Sequence, residues 1–469
     1  MEPGTGRAGG PPASRDEVLS SAIERAQRSP FYAEHLAGRS LRGRADLATL
    51  PLTRKEHLTE ASPFGMLAVP ASRAWHYHES SGTTGEPIST WCGLPELKQM
   101  ASRVRSMVPE LDGDTLLLNR FPLFAPVSFV FEEALREAGA CHIAAGNLSW
   151  DVPFTRALEF IQRLGVTALS SLPLEPVLLR ELARDQGLDP RKDLASVQVI
   201  FCGGAVLPPA LRRGIEQDWE ARTVEIYGSN ETMLMGVGCT EGQLHLCGEL
   251  LEFEILDPDT WKEVGPGETG IVTVTSLVHG VMPLVRYVTG DLVRRGSESC
   301  PCGRADETIE VLGRLEETVE IGGGRAMHHE ILDAAYEFAD RLGTRVFFVL
   351  IRPHELRLLV EVDDPNRPHA AEDERRLSER IGLPLTVEKL GPNEVLDRSA
   401  MFRTPSIYKP SVIADWRRPG RKPITIMEAL LEWPRFDAST LFQLGRRQWR
   451  NAIRRRRLTR EDRLHTGQD

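Results

Sequence analysis

The feature that most restricts the fold of this chain is a regular alternation of short apolar segments and amphipathic helical segments. Apolar segments predict buried strands at residues 114–119, 140–146, 166–172, 197–204 and 223–228. Between them, apolar residues recur at i, i+3 and i+4, which predicts helices at 154–164, 175–185 and 208–219. This order of elements predicts an α/β fold whose mainly parallel sheet is covered by helices on both faces.

Two changes in this pattern predict further units along the chain. Between residues 250 and 295, apolar residues alternate with period 2 between Gly and Pro turns, so we expect a β-rich subdomain at about 239–312. After Gly313 the order becomes β-α-β-β-α-β, which is typical of a small ferredoxin-like α+β domain. Its elements are predicted at 318–321, 328–342, 345–351, 356–362, 371–381 and 385–390.

These units predict the domain organisation of a 469-residue chain, which is too long for one ordinary core. We expect a large N-terminal domain at 15–313 and a small C-terminal domain at 314–419. Residues 1–14 are rich in Gly and Pro and are expected to be disordered. Residues 420–469 are expected to form an arginine-rich helical tail.

The charge of the chain is uneven, and its distribution argues against a nucleic-acid-binding protein. The formal net charge is −10, yet residues 446–469 carry nine arginines and three acidic residues. The rest of the chain is therefore strongly acidic, which does not suit a polyanionic partner. The tail is either an interaction arm or, as we favour, a solvated helical end.

The sequence shows no sign of membrane insertion or export. No segment comes near the roughly 18 apolar residues of a membrane span, and the first residues lack the apolar stretch of a signal peptide. We therefore expect a cytoplasmic protein, in which seven cysteines would not form a disulfide framework. Cys92, Cys141 and Cys202 are interpreted as buried thiols that pack as small apolar side chains.

The sharpest local motif is a run of small and hydroxyl residues at 80–87, Ser-Ser-Gly-Thr-Thr-Gly-Glu-Pro. Such a run leaves backbone N–H groups and hydroxyls free to surround an anion, which favours a phosphate-binding loop over an ordinary turn. The run lacks the Gly-Lys-Ser/Thr ending of a Walker A loop. A second motif, Tyr227 to Glu231, follows a predicted strand, and ligands bind at the strand ends of open α/β sheets.

The first motif resembles the phosphate loop of the adenylate-forming acyl-CoA synthetases, through Ser80, Ser81, Gly82, Thr83, Thr84 and Gly85. Three segments before it follow the order of one branch, the phenylacetate–CoA ligase family: SPFYAEHL at 29–36, DLATLPLTRKEHL at 46–58 and PFGMLAVP at 63–70. His78, just before the loop, also matches and is interpreted as catalytic. The resemblance covers about residues 29–416 and implies an enzyme that uses ATP, Mg²⁺ and CoA.

The resemblance also implies roles for the second motif. Tyr227 would pack on adenine, beside Gly228, Ser229 and Asn230, and Glu231 would hold Mg²⁺ near the phosphates. On local grounds alone, Tyr227 could equally be a core residue in front of a turn. Upstream, the glycine-rich end of the preceding strand resembles the family's element beside adenine, with Val206 in place of the usual Glu; its residues are Gly203, Gly204 and Ala205.

Two more segments match the family on either side of the predicted domain boundary. Asp291 ends an Arg-Tyr-Val-Thr-Gly-Asp segment and would bind the ribose hydroxyls, which suits a carboxylate that only accepts hydrogen bonds. Arg314 would contact the nucleotide. Glu316, where the family has Asp, would be the hinge about which the small domain swivels.

The catalytic lysine is sought among few candidates, because only seven of the 57 basic residues are lysines. A lysine would offset the charge that develops when a carboxylate attacks the α-phosphate of ATP. Lys409, followed by Val412 and Asp415, best matches the family's C-terminal lysine motif, although the preceding Gly is missing. Glu86 is a second departure, because it stands where the family loop usually has Lys.

A third set of residues suggests a metal site. Cys239 and His245 precede the β-rich segment, and Cys300 and Cys302 follow it, with Cys247 as a rival ligand. Thiolate and imidazole ligands suit tetrahedral Zn²⁺. Many members of the family carry a matching set, which implies a structural zinc with no open position.

The predicted function is activation of a carboxylic acid to an acyl-adenylate and transfer of the acyl group to CoA. Phe121, Phe124 and Phe129 lie where the family builds an aryl pocket, which favours an aromatic acid, although they would also serve as core residues. One alternative acceptor is a carrier-protein thiol or an amine, and another reading is a degenerate nucleotide-binding homologue. The sequence leaves open whether the chain forms an oligomer.

Overall fold

The computed structural model describes residues 14–80, 87–147, 152–365, 371–396, 398 and 411–417. The segments predicted as a disordered N-terminus and an arginine-rich tail lie outside these residues, apart from Ser14. The first helices are α1 (Arg15–Ala26), α2 (Pro30–His35) and α3 (Lys55–Ala61), and short 3₁₀ helices occupy Arg44–Thr49 and Ala71–Arg73. Within the described residues no helix is long and apolar enough to cross a lipid bilayer.

A two-stranded hairpin and then the predicted alternation of strands and helices follow. The hairpin and first crossover are β1 (His76–Glu79), β2 (Ser89–Cys92), α4 (Leu94–Met107), β3 (Leu116–Asn119), α5 (Pro126–Ala138) and β4 (Cys141–Ala144). The next elements are α6 (Phe154–Leu164), β5 (Ala168–Ser171), α7 (Glu175–Asp185), α8 (Pro190–Asp193), β6 (Val199–Gly203), α9 (Pro209–Trp219) and β7 (Arg222–Ser229). Five of these strands pair in parallel in the order β7-β6-β5-β3-β4, as the alternation predicted.

The β-rich segment continues this same sheet with antiparallel strands. It contains β8 (Met233–Gly238), β9 (Leu244–Leu246), β10 (Leu251–Leu256), β11 (Thr269–Ser276), β12 (Tyr287–Arg295) and β13 (Thr308–Arg314). Among the described residues the sheet has eleven strands in the order β10-β11-β12-β13-β9-β8-β7-β6-β5-β3-β4. Pairing changes from parallel to antiparallel at β7, so the predicted strand-end motif lies at the switch between the two halves.

The remaining elements form a C-terminal unit, defined here as the described residues of 315–417. After a 3₁₀ helix at Leu315–Glu317 it contains β14 (Val319–Ile321), β15 (Gly324–Ala326), α10 (His328–Arg341), β16 (Phe347–Ile351), β17 (Leu356–Glu361), α11 (Ala371–Ile381), β18 (Leu385–Leu390) and β19 (Ile413–Asp415). In this part of the structure one sheet has the order β18-β17-β16-β19. The expected strand at 318–321 is not in that sheet, because it pairs with β15 as a hairpin, and β19 takes a sheet position instead.

The prediction that three cysteines are buried is confirmed for two of them and wrong for the third. Cys92 and Cys202 are buried, as expected of packing thiols. Cys141 is exposed, and the expectation for it was wrong. The reason is that β4 is the edge strand beyond β3, so its residues lack a second neighbouring strand.

The buried Arg286 is one of the residues that attach the N-terminal segment to the antiparallel half. Arg286 donates two hydrogen bonds to Glu254, with Nε–Oε2 at 2.9 Å and Nη2–Oε1 at 2.8 Å, and both residues are buried. Its Nη1 donates to the carbonyls of Ala48 and Leu50 at 3.2 and 2.7 Å. Arg286 therefore links β10, β12 and the segment before α3, which is a structural role within the motif that ends at Asp291.

We predict that Arg286→Met lowers the free energy of unfolding by about 3–5 kcal/mol, because it leaves the Glu254 carboxylate buried without its partner. Urea denaturation followed by tryptophan fluorescence measures this change. Arg163→Met is the matched control, since Arg163 pairs with Glu159 on an exposed helix surface and should change stability by under about 0.5 kcal/mol. Equal stability of the two variants would contradict the structural role.

Candidate active site

The phosphate-loop motif is carried on a hairpin whose base is fixed by hydrogen bonds. Ser80 N donates to the Ile88 carbonyl at 2.9 Å, and Ile88 N donates to Ser80 Oγ at 2.9 Å. The Ser80 hydroxyl is thus used to close the hairpin, while Ser81, Gly82, Thr83, Thr84, Gly85 and Glu86 lie outside the described residues. Asn230 Nδ2 donates to the Glu79 carbonyl at 2.9 Å, which attaches the hairpin to the end of β7.

The turn after β7 requires glycine at one position. A Cβ placed on Gly228 would lie 1.8 Å from the Met233 carbonyl oxygen, which no side chain permits. The hydroxyls of Ser229 and Thr232 lie 2.9 Å apart, and Thr232 N donates to Ser229 Oγ at 3.2 Å. The tight turn places Asn230 and Glu231 at the point where the sheet changes direction.

Tyr227, Asp291 and Arg314 meet beside this turn, although they are far apart in sequence. The Tyr227 hydroxyl donates to Asp291 Oδ2 at 3.0 Å, and Arg314 Nε lies 3.6 Å from Asp291 Oδ1. Burial raises the pKa of Asp291, and the nearby charge of Arg314 and the Tyr227 hydrogen bond only partly oppose this. Tyr227 itself is buried, so the reading of Tyr227 as a core residue holds while its hydroxyl orients Asp291.

Glu231 belongs to the same electrostatic cluster. Burial alone would lower the pKa of Arg314, but the charges of Asp291, Glu317 and Glu231 outweigh burial and raise it. Arg314 is therefore a permanent cation held among carboxylates, next to the hairpin that bears the phosphate-loop motif. The structure brings together the predicted residues Tyr227, Asn230, Glu231, Asp291 and Arg314.

The glycines at the end of β6 are explained first by close packing. A Cβ on Gly203 would lie 2.6 Å from the Ile226 carbonyl oxygen of the neighbouring strand. Gly204 has a φ of +80°, a backbone conformation that favours glycine. Val206 is partly buried and packs against the apolar core. The position at which the resemblance leads us to expect Glu therefore carries an apolar side chain. A nucleotide contact by Gly203, Gly204 or Ala205 remains a prediction.

His78 is buried and neutral. Its Nδ1 lies 3.2 Å from the Phe124 carbonyl oxygen, and because a carbonyl only accepts, the proton sits on Nδ1 and Nε2 is left as the acceptor. Burial lowers the pKa of His78 to about 4, although the hydrogen bond to Phe124 opposes the shift. At neutral pH this side chain is therefore an uncharged, oriented imidazole rather than a cation.

Aromatic rings surround His78 on one side. The ring centroid of Phe124 lies 5.9 Å away and that of Phe129 lies 5.5 Å away, and Phe129 also packs on His76 at 3.9 Å. Phe124 is 53% exposed, whereas Phe121 is 1% exposed and packs on Phe131 at 5.7 Å. Phe121 is thus a core residue, and Phe124 and Phe129 form an open apolar wall beside His78.

A separate cluster of metal-ligating atoms lies at the join of β8, β9 and the segment before β13. The ligand atoms of Cys239, His245, Cys300 and Cys302 all lie within 4.8 Å of one another. Cys239 Sγ and Cys300 Sγ are 3.7 Å apart, close to the roughly 3.8 Å expected between two sulfur atoms bound to one tetrahedral zinc ion. His245 Nε2 is 3.4 Å from Cys302 Sγ, and its Nδ1 is oriented by the Asp306 carbonyl at 3.2 Å.

Cys247, the rival ligand, does not belong to this cluster. It is buried, and burial raises the pKa of its thiol to about 12, with Arg103 opposing the shift. The donor set Cys₃His, with its second imidazole nitrogen already held, fits a tetrahedral metal with no open position.

Lys409 lies outside the described residues, as does the rest of the segment 399–410. The other end of its motif is described: Asp415 lies in β19, where it pairs with Arg417 at 2.7 Å between Oδ2 and Nη2. Arg417 Nη1 also donates to the Glu320 carbonyl at 3.1 Å. These contacts anchor the residues that follow Lys409 to the C-terminal unit.

Comparison with known proteins agrees with this geometry. A family model described as AMP-binding enzyme matches residues 77–283. Phenylacetate–coenzyme A ligase of Thermus thermophilus is 27% identical over 78% of this chain and 89% of its own length. In sequence, the chain is thus similar to AMP-binding enzymes and to a coenzyme A ligase.

Two solved structures of one protein, 2-hydroxyisobutyryl-CoA ligase, share the fold. The structure in the postadenylation state with R3-HIB-AMP is 22% identical, covers 85% of this chain and 88% of that one, and has a TM-score of 0.74. An open conformation with 2-HIB-AMP and CoA is 20% identical, covers 85% and 90%, and has a TM-score of 0.60. Over most of its length the chain is similar to a phenylacetate–coenzyme A ligase, and residues 77–283 match the AMP-binding enzyme model.

We predict that His78 makes the protein less stable below neutral pH. The unfolded imidazole binds a proton at about pH 6.5 and the folded one only near pH 4, so stability is lost as pH falls through this range. Between pH 7 and pH 5 the loss is on the order of 2 kcal/mol. His78→Asn keeps a donor for the Phe124 carbonyl and should remove this part of the pH slope in urea titrations, whereas an unchanged slope would contradict the assignment.

Proposed function

We propose that this protein activates an aromatic carboxylic acid with ATP and transfers the acyl group to the thiol of CoA. In the first step a carboxylate oxygen attacks the α-phosphorus of ATP, the acyl-adenylate forms and pyrophosphate leaves. In the second step the thiol sulfur attacks the acyl carbonyl carbon and AMP leaves. The observation that carries the proposal is the meeting of Tyr227, Asp291, Arg314 and Glu231 beside the hairpin of the phosphate-loop motif.

Each residue of that cluster suits one part of the nucleotide. The Asp291 carboxylate has lone pairs beyond the one that Tyr227 occupies, so it can accept hydrogen bonds from a ribose diol. Arg314 is a permanent cation for a phosphate, and Glu231 is a carboxylate ligand for the Mg²⁺ that accompanies ATP. The phosphate-loop residues Ser81 to Gly85 would supply backbone N–H groups and hydroxyls, without the lysine that Glu86 replaces.

The apolar wall of Phe124 and Phe129 supports an aromatic acid as substrate. These rings lie beside His78, whose oriented Nε2 is a neutral acceptor rather than a charge, so the pocket is suited to a flat apolar group. A neutral His78 also leaves the substrate carboxylate free for attack, because it does not pair with it as a cation would. We propose that His78 positions the acid and that Lys409 offsets the charge that develops at the α-phosphate.

ATP–pyrophosphate exchange with a panel of acids tests the proposal. We expect exchange with phenylacetate or benzoate well above exchange with 2-hydroxyisobutyrate, because only a flat ring fills the wall. Mass spectrometry with CoA present should then show the acyl-CoA. Exchange with no acid would favour a degenerate nucleotide-binding protein, and an acyl-adenylate that CoA never consumes would defeat CoA as acceptor.

Lys409→Ala should lower the exchange rate on the order of 100-fold, because the cation that stabilises the transition state is removed. Lys422→Ala is the matched control, since this lysine lies outside the motif and should leave the rate within about twofold. If Lys409→Ala exchanges at the parent rate, another residue offsets the charge.

We also propose that Cys239, His245, Cys300 and Cys302 hold a structural zinc ion. Their mutual distances and the held second nitrogen of His245 support this donor set. Metal analysis of the purified protein should find about one zinc per chain. Cys300→Ser should lower that content and the melting temperature, whereas Cys247→Ser should leave the zinc content unchanged; a zinc-free protein of full stability would contradict the site.

A further inference from the structure

The boundary between the large sheet and the C-terminal unit is a packed, ion-paired interface. Apolar residues of α9 and α10 belong to one continuous core cluster, including Ile215, Trp219, Ala335, Phe338 and Ala339. A loosely tethered unit would instead present polar, solvated surfaces at this contact. The question is therefore which contacts hold the C-terminal unit in this arrangement.

Arg345 makes the densest set of contacts across the boundary. It precedes β16 and is 7% exposed, and its Nε lies 2.5 Å from Asp218 Oδ2 on α9. Its Nη2 donates to Gln217 Oε1 at 3.2 Å, also on α9, and its Nη1 donates to Asp340 Oδ1 at 2.8 Å within the C-terminal unit. One guanidinium thus joins two acidic side chains that belong to opposite sides of the boundary.

The helix on the other side is shaped to receive this guanidinium. Gly214 lies inside α9, where glycine is unfavourable relative to alanine. A Cβ at this position would lie 2.7 Å from Arg345 Nη1 and 2.8 Å from its Cζ. Glycine at position 214 therefore leaves space for the Arg345 guanidinium of the C-terminal unit. The conformation of α9 alone would not require a glycine at this position.

Two further contacts cross the boundary at its ends. Asp333 of α10 accepts a hydrogen bond from Ala210 N at 2.7 Å, and so caps the start of α9, whose own N-cap residue is Pro208. Arg398 pairs with Glu181 on α7 and with Glu361 on β17, at 2.5 Å in each case.

The comparison structures indicate what this arrangement corresponds to. The postadenylation structure of 2-hydroxyisobutyryl-CoA ligase has a TM-score of 0.74 with this chain, and the thioesterification state of the same protein has 0.61. The present arrangement of the two units is therefore more similar to the postadenylation arrangement than to the thioesterification arrangement. Contacts that exist only in this arrangement bias the balance between the two states.

We propose that Arg345 is a positioning residue that holds the C-terminal unit in the arrangement for adenylate formation, and so sets the balance between the two half-reactions. This proposal rests on the proposed function. The side-chain partners of Arg345 are Asp218, Gln217 and Asp340, none of which is among the proposed nucleotide-binding residues, so it acts by favouring one arrangement over the other. Weakening it lowers the ratio of molecules arranged for the first step to molecules arranged for the second.

The test compares the two half-reactions in Arg345→Met and in the parent protein. One rate is ATP–pyrophosphate exchange, and the other is single-turnover thioester formation from a chemically prepared acyl-adenylate and CoA. We expect the ratio of thioester formation to exchange to rise on the order of tenfold in Arg345→Met. Arg341→Met is the matched control, because Arg341 pairs with Glu337 within α10 and should leave the ratio unchanged.

Gly214→Ala tests the same contact from the other side of the boundary without removing a charge, and it should raise the ratio in the same direction. It also serves if Arg345→Met does not fold. Parallel loss of both rates, or an unchanged ratio in both variants, would overturn the positioning role. Absence of exchange in the parent protein would instead refute the proposed function, so the two failures are distinguishable.

Discussion

The switch from parallel to antiparallel pairing at β7 is the constraint on which the rest of the structure depends. The strand can change partners only through the turn after Gly228, where the backbone passes too close to the Met233 carbonyl for any side chain. That turn brings a parallel half, which offers strand ends, against an antiparallel half, which offers Asp291 and Arg314. The nucleotide site proposed above lies where the two halves meet, because each half supplies groups that the other lacks.

One of the segments through which the chain resembles the family, at 29–36, has a structural role. Tyr32, in the segment at 29–36, is fully buried, and its hydroxyl accepts a hydrogen bond from Val285 N at 2.8 Å and lies 3.2 Å from the hydroxyl of Thr53. Arg286 strengthens this attachment, because its Nη1 donates a hydrogen bond to the Leu50 carbonyl. These residues hold β12 in place, and β12 in turn carries Asp291. Motifs outside the site can therefore be as characteristic of a family as the residues that touch a ligand.

Sequence periodicity predicted the helices at 154–164 and 175–185 with the bounds that the structure shows, because each has a strong apolar stripe. It could not predict that 318–321 would form a hairpin while Ile413–Asp415 joined the sheet, since strand pairing depends on contacts between distant segments. The partners of Arg345 on α9 were equally hidden, because Gln217 and Asp218 lie more than a hundred residues away. The one local signal was Gly214, a glycine inside an otherwise regular helix.

The Cys₃His cluster has a consequence for how the antiparallel half is held together. Cys239 and Cys302 bracket β9 to β12, so an ion bound by both would turn that stretch of chain into a closed ring. Closing a long ring removes much of the freedom of the unfolded chain, and metal binding then becomes part of the folding free energy. A chelator that removed the ion would therefore destabilise this half of the sheet. The supply of metal in the cell would then affect how much of the chain is folded.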